Sequence, residues 1–192
     1  MIVNTIPMHT LKKDLRRAEI TVITQGLDSR LPNVYDGQQH WPVVTVVYNG
    51  ETLVENTDYT VSYTNQINAG SYPCTITGIG DFRESTTVQW TITRASVQGG
   101  SFSASPSTIS RSERTDVVIY ASVPSGYNEN FTLVKFDEYG LSYARERYQS
   151  GRLPTLTLEN AYADRLAARL YVYATSQNYV MTAQLLEFEV VT

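Results

Sequence analysis

Scarcity sets the first limits on this chain. Its 192 residues include one cysteine and two histidines, so an intramolecular disulfide is excluded and a structural zinc site of the usual Cys/His type cannot be assembled. Charged side chains make up only 18% and the formal net charge is −4, which argues against nucleic acid as a partner. No apolar run approaches the roughly 18–20 residues of a spanning helix, so the sequence offers no membrane partner. Catalytic signatures are also missing: there is no Gly-x-Ser-x-Gly, no P-loop and no HExxH. Asp137 and Glu138 are adjacent, so on a strand they face opposite ways. Asp36, Asp58 and Asp81 sit at turns, without the dense acidic run of a calcium loop. His9 and His40 read as surface residues without a carboxylate partner. The expectation is a non-enzymatic chain that needs no cofactor and no metal.

What is present is sheet. Hydrophobic residues make up 42%, enough to bury a core. Pro42-Val43-Val44-Thr45-Val46-Val47-Tyr48 is largely β-branched and ends at Asn49-Gly50, a pair suited to a type I′ hairpin turn. Tyr59, Val61 and Tyr63 alternate with polar residues, as do Tyr72, Cys74 and Ile76, then Val88, Trp90 and Ile92. A period of two with one apolar face predicts half-buried antiparallel strands. On that pattern Cys74 is a buried, unreactive thiol. Gly70 and Gly78 read as turn positions with positive φ. Residues 95–107 are small and polar and read as a linker. Alternation then resumes in 117–123, 131–136, 156–158, 166–174 and 186–190, with a polar loop, or a hairpin extension, over 137–150. The segment 159–169 contains many helix formers, but Leu166, Ala168, Leu170, Val172 and Ala174 alternate. A strand over about 165–175 entered by a helical turn is favoured, and a helix over 159–169 stays open.

Charge divides the chain unevenly. Residues 1–17 carry four basic side chains against the single acid Asp14. Both later blocks are net acidic. Ile2, Val3, Ile6, Leu11 and Leu15 interleave with Lys12, Lys13, Arg16 and Arg17, and Leu11, Leu15 and Ala18 share one face at helical spacing. Extended, 17 residues reach on the order of 55 Å. This segment reads as an arm that docks on an acidic partner, steered by its cations and held by its apolar groups. Of 14 tyrosines, most lie beyond residue 95. Tyr139, Tyr143 and Tyr148, with Arg145 beside them, and the outward-pointing Tyr171 and Tyr173, form the second candidate surface, suited to a protein interface or to stacking on a sugar.

From Tyr35 to Ile92 the residues resemble the bacterial immunoglobulin-like repeats of large surface proteins of gut bacteria, the MBG-like group. The matching run is Tyr35-Asp36-Gly37, Leu53-Val54-Glu55-Asn56-Thr57-Asp58-Tyr59-Thr60-Val61-Ser62-Tyr63, Asn65, Asn68-Ala69-Gly70 and Thr75-Ile76-Thr77-Gly78-Ile79-Gly80-Asp81-Phe82. The family more often has Gly at position 56, Asn at 81 and Tyr at 82. The resemblance implies a small β-sandwich without catalytic residues, used for display, spacing and adhesion. The expected architecture is all-β: an arm over 1–17, an immunoglobulin-like domain over 18–94, and a second, divergent immunoglobulin-like β-sandwich over 95–192.

Met1 to Pro7 shows neither the basic nor the apolar region of a secretory signal, and the expectation drawn is assembly in the host cytoplasm. The setting then resembles that of phage capsid-decoration and head-fibre proteins: a virion structural protein on the capsid surface, present in many copies, partnered by the major capsid or another virion protein and, through its outer domain, by a host-surface glycan. The alternatives are a fragment of a bacterial cell-surface adhesin and a carbohydrate-binding module that uses Tyr171 and Tyr173.

Overall fold

Period-two alternation becomes sheet nearly everywhere. The computed structural model describes residues 11–192; the chain divides into two units, Met1–Thr93 and Arg94–Thr192. Among the described residues the regular structure is strand, apart from one 3₁₀ turn, Leu15–Arg17.

In the first unit, β1 (Lys13–Asp14) precedes β2 (Glu19–Gly26), β3 (His40–Tyr48), β4 (Glu51–Thr52), β5 (Tyr59–Ser62), β6 (Gly70–Gly78), β7 (Phe82–Arg83) and β8 (Ser85–Ile92). β2, β3 and β4 form one antiparallel sheet, β5, β6 and β8 the other, and β1 pairs in parallel with β7. The core holds Val46, Tyr59, Cys74, Ile76, Phe82, Trp90 and Ile92. These are the inward positions of the alternation, Cys74 included. Asn49 and Gly50 turn with φ of 52° and 84°, as a type I′ hairpin requires. Asn56 has φ 64°, a left-handed position that Asn tolerates. Asp58 closes the same turn by accepting from the Val54 N–H at 2.8 Å. Gly70 and Gly78 both depart from expectation: they are the two ends of β6, without positive φ, and a Cβ would meet the Tyr72 hydroxyl at 2.9 Å at the first and the Arg83 backbone nitrogen at 2.8 Å at the second.

Two expectations for this unit are corrected. The first concerns the arm. Lys13 pairs with Phe82, and its N–H donates to the Asp81 carbonyl at 2.8 Å. Leu15 is fully buried in the core, whereas Leu11 is 89% exposed. No helix forms because Asp14 caps the 3₁₀ turn, its carboxylate accepting from the Arg16 N–H at 3.1 Å. Leu15 is therefore core and not a partner-binding residue. Ile2, Val3, Ile6 and His9 lie outside the described residues. The second concerns His40, which is completely buried. Its ring sits between the Pro32 carbonyl at 2.9 Å from Nδ1 and Asp36 Oδ1 at 3.0 Å from Nε2. The loop 27–39 returns over the ring and supplies both oxygens, a tertiary contact that local pattern does not show.

The second unit starts at once with β9 (Ala95–Ser96), followed by β10 (Ser101–Ser105), β11 (Thr108–Ser110), β12 (Thr115–Ser122), β13 (Thr132–Tyr139), β14 (Leu141–Ser142), β15 (Arg145–Gln149), β16 (Thr155–Ala163), β17 (Ala168–Thr175) and β18 (Tyr179–Val191). One sheet runs β10-β12-β16, with β15 and β14 both pairing β16; the other runs β11-β18-β17-β13. In immunoglobulin lettering these are A-B-E-D and A′-G-F-C, the order that defines the fold. Twenty side chains form its core, among them Val117, Ile119, Phe131, Leu133, Leu156, Leu158, Leu170 and Val172.

Three further readings change here. The stretch 95–107 is not a linker: it contains β9 and β10, and Val97 and Phe102 are buried. The polar loop 137–150 holds β14 and β15. The segment 159–169 is strand, turn and strand, with no helical turn; β17 starts at Ala168, and Leu166 is 81% exposed in the connection. Helix formers are overridden there because strand E has a ready partner on each side.

Candidate functional site

The outer face of the β13–β17–β18 sheet departs from ordinary strand patterning. The registers Val134↔Tyr173, Lys135↔Val172, Asp137↔Tyr171 and Tyr139↔Arg169 show one residue too many in β13, between Lys135 and Asp137. That residue is Phe136. A bulge re-aims a side chain, and here it leaves a phenylalanine 57% exposed. Its ring lies 5.5 Å from that of Tyr171 and 5.9 Å from that of Tyr173, centroid to centroid. Across β17, Leu185 pairs with Tyr171 and is also exposed. A depression of about 250 Å³ beside the rings is lined by Asp137, Glu138, Tyr139, Arg169 and Tyr171.

Two cations flank this face. The guanidinium carbons of Arg165 and Arg169 stand 4.8 and 4.9 Å from the centre of the Tyr139 ring, within cation–π range. Among the described residues neither makes an ion pair with a carboxylate. Arg165 hydrogen-bonds to the Tyr139 hydroxyl and its charge is supported by Asp164, which also accepts from Ser142 at 3.1 Å; Glu138 pairs with Lys135 at 3.1 Å.

The predicted tyrosine cluster thus splits. Tyr139, Tyr171 and Tyr173 meet on this face. Tyr143 and Tyr148 close the edge between the two sheets instead. Tyr143 donates to Glu146 at 2.7 Å, Tyr148 donates to the other oxygen of Glu146, and the Lys135 ammonium lies 3.3 Å from Glu146 and 4.6 Å from the Tyr143 ring centre. Burial alone would lower the ammonium pKa, but hydrogen bonds to Tyr143 and Glu138 and the charges of Glu138 and Glu146 outweigh it and raise it. Burial and then the bond to Glu146 push the Tyr148 phenol to about 12. Lys135, Tyr143, Glu146 and Tyr148 thus bond to one another. Arg145 is turned to the other sheet, toward Glu159 at 3.8 Å. Phe136, Arg165 and Arg169 were missed by sequence reasoning; the bulge that exposes Phe136 is a property of strand pairing, not of strand composition.

Of the remaining arm residues, Lys12 and Arg17 are exposed. The Lys13 ammonium lies 5.1 Å from the Phe82 ring centre and 6.0 Å from that of Tyr48. Arg16 grips Asp14 through two bonds of 2.9 and 2.7 Å, and that side-chain hydrogen bonding holds the Asp14 carboxyl at about 2. Lys13 and Arg16 are thus engaged within the unit. A second exposed apolar strip, Ile23 opposite Val43, lies on the β2–β3 sheet. Among the described residues no three His, Cys, Asp or Glu side chains could hold a metal ion, and no helix is long and apolar enough to cross a membrane.

No family model matches the chain, and no curated protein matches it. Among solved structures, a titin fragment aligns at 12% identity with a TM-score of 0.30, covering 91% of this chain and 99% of that one. A pair of titin Ig tandem domains aligns at 11% with a TM-score of 0.29, covering 95% of each. The fold of each unit stands on its own strand order.

Proposed function

We propose that this chain is a non-enzymatic display protein whose second sandwich makes an adhesive contact through the outer face of β13, β17 and β18. The carrying observation is the bulged, solvent-exposed Phe136 beside Tyr171 and Tyr173, flanked by the guanidiniums of Arg165 and Arg169 stacked on Tyr139. Exposed apolar area rimmed by charge marks an interaction surface. The remaining polar clusters are explained by folding alone: His40 by its loop, Glu146 by the sheet edge, Asp14 by its cap.

In its finer form the proposal is a phage virion protein, a capsid-decoration or head-fibre-like subunit assembled in host cytoplasm and present in many copies on the capsid surface. What supports the setting is the resemblance of residues 35–92 to bacterial immunoglobulin-like repeats and the basic character of residues 1–17. The anchoring contact is assigned to the N-terminal segment as far as Lys12, with Leu11 and Lys12 on the surface, and to the adjoining surface that bears Arg17. The same resemblance favours a bacterial cell-surface adhesin as the second reading. Peptide mass spectrometry of gradient-purified virions from the host of origin, with antibody labelling in electron micrographs, separates the two. Recovery with capsid protein in a fixed ratio supports the virion. Recovery in the bacterial envelope and absence from particles sinks it.

A further inference from the structure

We infer that the outer face of the second sandwich is a binding site for a carboxylate-bearing saccharide, a sugar ring of the uronic or sialic acid class. The inference rests on the adhesive reading above for its setting, and on the following geometry for its chemistry. Rings that stand out from a sheet face offer flat π surface, not main-chain pairing, and such a surface suits the C–H face of a pyranose. Phe136 and Tyr171 provide it with centroids 5.5 Å apart. Beside them lies a depression of about 250 Å³, a volume for one sugar residue rather than an extended polypeptide.

The charges around the depression select the kind of sugar. Arg169 lines it and Arg165 shares the Tyr139 ring with Arg169 at 4.8 and 4.9 Å. Both guanidiniums are exposed, and both make no ion pair among the described residues. Glu187 is the cross-strand neighbour of Arg169, yet it too stays beyond ion-pair distance. Arg165 is engaged, hydrogen-bonding to the Tyr139 hydroxyl beside Asp164; the Arg169 fork, held against the aromatic face and lining the depression, is the one that matches a carboxylate bidentately. Asp137, also in the depression, is an acceptor and serves the sugar hydroxyls. Glu138 is already committed to Lys135. The site therefore has one face for the ring, one fork for the acid and one acceptor for hydroxyls.

The test uses the full chain and four named probes: trigalacturonate, sialyllactose, lactose and a pentaglutamate peptide, with binding read by calorimetry and ligand-detected NMR. At least one acidic sugar binds, lactose binds about tenfold or more weaker, and Arg169→Gln and Phe136→Leu each weaken the acidic sugar by about tenfold or more. Phe136→Leu keeps an apolar side chain and removes only the ring face. Tyr120→Ala, on the opposite sheet, leaves binding unchanged and melting of every variant is checked alongside. Absence of acidic-sugar binding at millimolar concentration overturns the inference. So does equal binding of lactose, or indifference to both substitutions. Pentaglutamate binding as tight as the sugar assigns the face to polypeptide carboxylates and overturns it too. The outcome is independent of where the protein resides, so failure here and failure of the virion reading are separate results.

Discussion

The burial of Leu15 leads to a sharp prediction, because an arm and a core make opposite demands on it. Leu15→Ala removes a side chain with no exposed surface, packed in the cluster that holds Trp90, Ile76 and Phe82. Truncating a fully buried leucine costs about 2–5 kcal/mol, the lost transfer energy plus the cavity left behind. A domain of this size is stable by only about 5–15 kcal/mol, so the loss is a large share of the first unit's stability. With a urea dependence of about 1–3 kcal/mol per molar, the unfolding midpoint falls on the order of 1–2 M while the slope stays the same. The assay is selective. Both tryptophans, Trp41 and Trp90, belong to the first unit, so tryptophan fluorescence follows its unfolding alone. Leu11→Ala, at a position 89% exposed, is the control and stays within about 0.5 kcal/mol of the parent chain. A Leu15→Ala midpoint equal to that of the control would refute the packing and return Leu15 to a free arm. The same reasoning bounds any deletion meant to test shell docking: it must stop before Lys13, or lost binding reports a broken domain.

Gly26→Ala puts a Cβ 2.6 Å from His40 Nδ1, in a ring pinned by Pro32 and Asp36. It lowers the first unit's stability by about 1–3 kcal/mol by the same fluorescence assay, and an unchanged midpoint contradicts the buried ring. Gly140→Ala meets the Ala167 carbonyl oxygen at a backbone φ of 66° and costs the second unit more than about 2 kcal/mol, read by calorimetry. Burial alone would raise the Glu129 carboxyl, but hydrogen bonds from Ser176 and from the Asn178 backbone and amide outweigh it and hold it below its ordinary 4.5. A carboxyl depressed on folding stabilises above its ordinary value and loses that contribution as pH falls through the folded value. Glu129→Gln accordingly flattens the acid limb of the second unit's stability profile, and an unaltered limb counts against the contact. Cys74 is fully buried, and burial pushes its thiol up. A thiol reagent such as DTNB leaves the folded chain untouched and titrates one group per chain in denaturant.

What the sequence made legible was local and periodic. Tyr72, Cys74 and Ile76 lie on one face as their spacing requires, and Leu170, Val172 and Ala174 line the second core. Asn49-Gly50 turns as its residues demand. What failed was long-range. Leu15 is buried because Lys13 finds a partner at Phe82, a pairing that no window of the sequence contains. Residues 95–107 are small and polar, yet two apolar side chains, Val97 and Phe102, suffice to seat them in the sandwich. The tyrosines of 139–148 are neighbours in sequence but part company because Gly140 reverses the chain between β13 and β14, leaving Tyr139 on a sheet face and Tyr143 at a sheet edge.

The contrast among outer sheet faces explains why the adhesive contact is placed on the second unit. On the β5–β6–β8 sheet the outward rows read Ser62, Thr75, Thr87 and Thr60, Thr77, Ser85. Their hydroxyls bond across strands at 3.0 Å, Thr75 to Thr87 and Thr77 to Ser85, which leaves a face already satisfied and solvated. The β2–β3 face has aliphatic Ile23 opposite Val43, and the polar side chains beside it, Thr24, Asn33 and Gln89, are uncharged. The β13–β17–β18 face combines rings, the Arg169 guanidinium and a carboxylate acceptor around one depression. Directionality distinguishes recognition from mere stickiness, because hydrogen bonds to a charged group fix geometry where apolar area alone does not. A spacer needs only the first kind of surface. A chain that grips something specific needs the last, and a one-residue bulge at Phe136 converts an ordinary strand into it.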